Sequence, residues 1–111
     1  MTHHGAEARG PLERLEWHGD EPPNATTVSA RLRDEGVEPM VWSNGPGDRY
    51  PDHRHAYTKL LMCASGSITF HLGATRTPVE LRPGEGFVLP PGVDHSAVVG
   101  TDGCTCIEGH R

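Results

Sequence analysis

Fourteen glycines and ten prolines punctuate a chain of only 111 residues. A glycine inside a helix costs about 1 kcal/mol and a proline about 3, so a bundle of long helices is excluded. Many short strands joined by tight turns accommodate the same residues at no such cost. One domain is the natural size for this length.

The pattern along the chain agrees. Residues 1–10 are polar and rich in Gly and Ala, which reads as a frayed end carrying His3 and His4. Residues 12–18 fit either a short strand or a helical turn, and Asp20–Asn24 break the chain. A single helix is expected over about 27–35, capped by Thr26 or Thr27 and ended by Gly36 at the C′ position. Strands are expected at 37–43, 54–63, 67–72, 77–82, 86–90, 95–99 and 104–108. Turn chemistry separates them, Asp102-Gly103 being the strongest single hairpin signal. The organisation is a flexible segment over 1–24 with room for one short strand, then an antiparallel sandwich or barrel over 25–111.

Composition narrows the function classes. A formal charge of −5 and a pI near 5.8 exclude the clustered Lys and Arg of a nucleic-acid surface. No run approaches the ~18 apolar residues of a membrane span, and the N-terminus lacks the apolar core of a signal peptide, so a cytoplasmic location is expected. Three cysteines, an odd number, fit reduced thiols. Hydrophobic residues make up 34% of the chain, which is thin for a self-sufficient core. Help is therefore expected from a bound metal, a second subunit, or both.

Eight histidines are the outlier. His53 and His55 are one residue apart, which on a strand sends both side chains to one face, with Cα atoms roughly 6.5–7 Å apart. Two imidazoles so placed can converge on one ion at about 2.0–2.1 Å. His95, after the Pro90-Pro91-Gly92 turn, is the candidate third ligand.

The surrounding residues carry a family resemblance. Gly47, five residues, His53-x-His55, three residues, Lys59, six residues and Gly66 resemble the first cupin motif, in which the position of Lys59 is usually Glu. Gly84, five residues, Pro90-x-Gly92, two residues, His95, three residues and Val99 resemble the second, in which the position of Val99 is usually Asn. The resemblance implies an all-β fold, a small antiparallel β-barrel or jelly roll, with one short N-terminal helix in this chain. It implies a divalent transition metal (Fe, Zn, Cu, Ni or Mn) held by His53, His55 and His95. The fourth ligand is missing, because a protonated Lys59 has no acceptor.

Three neutral imidazoles leave a divalent ion its full charge. Lys59 either adds to that charge by facing the cavity, favouring an anion, or is neutralised by an acid, Glu108 being the candidate. Tyr57 shares strand parity with the ligands, as a proton donor or a packing residue. Cys104 and Cys106 read as packing, and His18, His71 and His110 lack a ligand-spaced partner. Arg49 and Tyr50 lie on a loop able to rim the mouth, while Trp42, Leu60, Phe70, Phe87 and Ile107 belong to the expected packing set.

The leading functional expectation is a metal-dependent dioxygenase acting on a small anionic molecule, with Lys59 and Tyr57 as catalytic groups. The alternative is a non-catalytic module that binds or senses a metal and a small ligand. A sugar-phosphate isomerase or epimerase fits less well, since such sites carry more acid and base groups. A homodimer is expected, with no nucleic-acid or membrane partner.

Overall fold

The computed structural model describes residues 12–111, and the expectations for residues 1–10, with His3 and His4, lie outside them. Seven strands and one helix follow in the order β1 (Glu13–Glu16), α1 (Ala25–Asp34), β2 (Met40–Asn44), β3 (Arg49–His53), β4 (Lys59–Leu72), β5 (Thr77–Leu81), β6 (Glu85–Leu89) and β7 (His95–His110). Every pairing among them is antiparallel. The fold is the expected all-β jelly roll with one short helix.

The helix begins earlier than the threonines suggested. Asn24, held extended after Pro22-Pro23, is the cap: its Oδ1 accepts from the Thr27 N–H at 2.9 Å. Thr27 answers from the third helical position, its Oγ1 accepting from the Asn24 N–H at 3.0 Å. This reciprocal pair satisfies two donors that the first turn leaves open. At the other end Gly36 takes a φ of +88° and donates to the Arg33 carbonyl, as expected of the C′ residue. Val28 and Leu32 are fully buried on the face that meets the sheet.

The main departure from expectation lies in β4 and β7. The Ala64-Ser65-Gly66 and Asp102-Gly103 segments, expected to be turns, run within continuous strands of 14 and 16 residues. The register slips between Cys63 and Ser65 and again between Gly66 and Ile68. There the two strands bulge together. Gly66 has a φ of +72° and Gly103 a φ of +74°, and a Cβ on Gly66 would overlap the Gly103 carbonyl oxygen. The glycines supply a bend in paired strands instead of a reversal of chain direction.

The bend divides the sheet into two layers. Before it, Lys59–Cys63 pairs with β6 and with 106–110 of β7, and β1 and β2 extend that layer at its two edges. After it, Ile68–Leu72 pairs with β5 and with 95–99 of β7, and β3 extends the second layer. Strands that change layers through a bulge close one end of a sandwich and leave the other open.

Side-chain phase changes at the same place. In β4, Leu61 and Cys63 face the interior before the bend, and Ile68, Phe70 and Leu72 after it. In β7 the interior set passes from Ala97 and Val99 to Cys104 and Cys106. Had the phase not shifted, one half of each strand would turn its apolar face outward. The remaining apolar residues of the first layer, Leu60, Met62, Val88 and Ile107, pack under Val28 and Leu32 of α1 in a second cluster.

Replacing Gly66 by alanine is expected to lower stability by about 2–4 kcal/mol, since it combines a positive φ with a backbone overlap. Gly36→Ala, with nothing within 4 Å of the added methyl, should cost only about 1 kcal/mol. Denaturant midpoints of the two variants test this; equal losses would contradict the role given to the bend.

Candidate metal centre

The open end of the sandwich gathers the histidines. His53 ends β3 and His95 begins β7, and the two are direct cross-strand partners. His55 lies beyond the end of β3, in the loop before β4, so the expected two-residue strand alternation does not place it. Backbone contacts do: the Gly92 N–H, in the Pro-Pro-Gly turn, donates to the His55 carbonyl at 2.8 Å. Asp94 takes both a 2.8 Å and a 3.1 Å bond from Arg54, tying the residue between the first two histidines to the residue before the third. Gly92 adopts a φ of +81° in that turn.

The donor atoms of His53, His55 and His95 lie within 4.8 Å of one another. Ring centroids are 4.2 Å apart for His53 and His95, 4.8 Å for His53 and His55, and 5.1 Å for His55 and His95. Nδ1 of His53 is 2.9 Å from the Pro51 carbonyl and Nδ1 of His95 is 3.0 Å from the Val93 carbonyl. A carbonyl oxygen only accepts, so each Nδ1 carries the proton and each Nε2 keeps its lone pair.

The Nε2 atoms of His55 and His95 are buried and have no hydrogen-bond partner. Two orphaned ring nitrogens beside a third imidazole are costly unless something binds them. Burial, reinforced by the nearby His53 and Lys59 charges, lowers the His95 pKa to about 4, against the opposing pull of the Val93 carbonyl. Desolvation, with Lys59 and His53 adding to it, lowers that of His55 as well. Neutral imidazoles with free Nε2 lone pairs are what a divalent ion requires. The residues present fit such an ion.

Lys59 fulfils both readings of its position. It is 8% exposed and lines the same cavity as His53 and His95. Its Nζ is also 3.4 Å from Oε1 of Glu108, which accepts the Trp42 indole N–H at 2.9 Å. The ammonium is thereby compensated, which a buried cation requires. Tyr57 is not among the residues lining that cavity: its ring stacks on His55 at 4.8 Å and meets His110 at 4.3 Å. His110, expected to stand apart from the site, joins it at the rim through this stack.

The cavity has a volume of about 290 Å³ and also takes in Trp42, Tyr50, Phe70 and Glu108. The sequence alone reads Trp42 and Phe70 as packing residues and Tyr50 as a rim residue. Only the pairing of β2 and β3 with β7, which sets Trp42 opposite Cys106 and Tyr50 opposite Ala97, shows that they reach inside. The three cysteines lie nearer the bend, buried and free, with Cys63 opposite Cys106. Hydrogen bonds with Cys104 and Cys63, then burial, push the Cys106 thiol far up, so it keeps its proton. The thiols pack the interior, as expected.

Comparison with known proteins agrees with this geometry. The family model described as "Cupin domain" matches residues 40–107. No curated protein sequence matches the chain. Among solved structures, CENP-C of Drosophila melanogaster bound to CAL1 superposes with a TM-score of 0.61 at 11% identity, over 66% of this chain and 60% of that one. Iron(II) HppE does so with 0.60 at 18%, over 71% and 44%. YcfD, a ribosomal oxygenase from Escherichia coli, gives 0.57 at 21%, over 68% and 23%. The chain spans less than two thirds of each of these, and such identities speak for the fold.

His95 makes stability depend on pH. Its folded-state pKa lies below the unfolded value of about 6.5, so acid favours the unfolded chain, which takes up the proton more readily. The stabilisation is complete above pH 6.5 and is lost as pH falls towards about 4. Chelator-treated protein should therefore show a melting temperature that drops across this interval, with a visibly shallower drop in His95→Gln. Identical profiles for the two proteins would contradict the assignment.

Proposed function

The chain belongs to the cupin family, and from that premise we propose that it is a metal-dependent oxygenase, of the dioxygenase type, acting on a small anionic substrate. The observation that carries the proposal is the pair of buried, unpartnered Nε2 atoms on His55 and His95 beside His53, at a cavity large enough for a small molecule. A divalent metal held there supplies Lewis acidity and a template for substrate and O₂. Imidazole donors suit Fe, Zn, Cu or Ni. A dioxygenase places both oxygen atoms in its product and so needs no external reductant.

The chain's own groups have distinct parts in this reading. His53 and His95 are oriented by carbonyls two residues before them, which keeps both Nε2 lone pairs available without reorganisation. Lys59 holds positive charge at the cavity wall and steadies negative charge that develops on substrate, while Glu108 keeps the resting site from carrying that charge unpaired. Tyr57 fixes the plane of His55 by stacking, and in this reading its hydroxyl is the group offered for proton transfer. Similarity to a ribosomal oxygenase supports the reaction class, and similarity to iron(II) HppE supports the metal, both by analogy of fold. The proposal includes a homodimer, for which Met40 and Val41, 63% and 50% exposed, offer apolar surface on the edge strand β2.

A second reading, a module that binds or senses a metal and a small ligand, draws support from one feature. Apart from the histidines, the titratable groups lining the cavity are Tyr50, whose hydroxyl is bonded to Asn44, and the mutually paired Lys59 and Glu108.

Protein purified without added metal separates the readings. The oxygenase is expected to contain iron and to consume O₂ with at least one of a panel of diketones, thiol acids and phenolic acids. Uptake should fall at least 100-fold in His53→Ala. Stoichiometric zinc with no turnover of any panel member would favour the binding module.

A further inference from the structure

The cavity lining is polar in two places and apolar elsewhere. The polar places are the histidine cluster and the Glu108–Lys59 pair. The apolar lining is Leu61, Phe70 and Ala97 with the rings of Trp42 and Tyr50. The polar tips of the remaining lining residues each hold one protein partner. The Trp42 N–H donates to Glu108, the Tyr50 hydroxyl donates to Asn44, and the Ser96 hydroxyl accepts from Arg76 at 2.6 Å. What the aromatic residues present to a ligand is therefore their ring surface, Trp42 and Tyr50 meeting edge to face at 5.5 Å and 66°.

Charge and hydrogen-bonding capacity narrow the ligand further. Three neutral imidazoles do not reduce the charge of a divalent ion, and Lys59 and Glu108 offset one another, so the site as a whole stays positive and favours an anion. The bonds to Glu108 from Trp42 and Lys59 both fall on Oε1, leaving accepting capacity on the carboxylate. A ligand without a donor would strip water from that carboxylate and give nothing in return. The volume of about 290 Å³ admits one substituted ring.

Resting on the reading of the three histidines as a metal centre, we infer that the cavity takes a small hydroxylated aromatic acid. Its anionic oxygen sits at the metal, its ring lies among Trp42, Tyr50 and Phe70, and a ring hydroxyl donates to Glu108. Aromatic surface against aromatic surface selects the flat ring over a puckered one of equal size. Glu108 then acts as a specificity residue, and Lys59 and Trp42 position it.

Calorimetry on the zinc-loaded full-length protein tests this without any turnover. The probes are benzoate, cyclohexanecarboxylate, 3-hydroxybenzoate and 4-hydroxybenzoate. Benzoate is expected to bind at least tenfold more tightly than cyclohexanecarboxylate, and the better hydroxybenzoate at least tenfold more tightly than benzoate. In Glu108→Gln, whose neutral amide oxygen is a weaker acceptor than the carboxylate, the hydroxybenzoate-to-benzoate ratio should fall at least threefold, while benzoate itself binds no more weakly. That ratio is unaffected by a general loss of folding or by the positive charge the variant unmasks. Failure to bind zinc would overturn the metal reading and this inference with it. Zinc binding accompanied by equal affinity for the flat and puckered rings, by an unchanged ratio in the variant, or by no binding of any probe would overturn this inference alone.

Discussion

The two longest strands bend together where Gly66 meets Gly103, and the rest of the molecule is arranged around that contact. Both residues hold a positive φ, and the backbones are too close at Gly66 for a side chain. One hydrogen-bonded sheet thereby becomes two facing layers with a closed end at the bend and an open end at Lys59, His95 and His110. The phase of the side chains shifts with the bend, so both layers keep apolar faces inward. A 34% hydrophobic chain can fold this way because α1 covers the outside of one layer while the interior near the mouth is left polar.

That polar mouth is where stability and chemistry meet. Burying imidazoles whose Nε2 atoms have no partner works against folding in the absence of an ion, and binding an ion to the folded form alone reverses the sign. The same arrangement lowers the pKa of His95 and His55, keeping them in the form that ligates. Lys59 and Glu108 solve a related problem. The cupin motif usually has a carboxylate at position 59; here a carboxylate reaches the cavity from β7 instead, paired with the ammonium that replaced it.

Much of this was legible in the sequence, where chemistry and spacing act locally. The histidine triad, the glycine after α1 and the all-β class followed from residue types and intervals. What stayed hidden depended on partners distant in sequence. Asp102-Gly103 has the composition of a hairpin, and only the facing Gly66 turns it into a bulge. Thr26 and Thr27 are good caps, but the two prolines before Asn24 move the helix start upstream. His55 reaches the site through a loop tied to Gly92, which alternation along a strand cannot express. Trp42 and Tyr50 looked like packing and rim residues because their part in the cavity is set by pairing with β7.

The central claim is that His53, His55 and His95 together hold one divalent ion, and X-ray absorption at the metal edge of the zinc-loaded protein tests it most directly. The account predicts one zinc per chain with three imidazole nitrogens at about 2.0–2.1 Å and light-atom donors completing the shell. A spectrum dominated by sulfur at about 2.3 Å, which would place the ion among Cys63, Cys104 and Cys106, or a shell unchanged in His95→Gln, would contradict it.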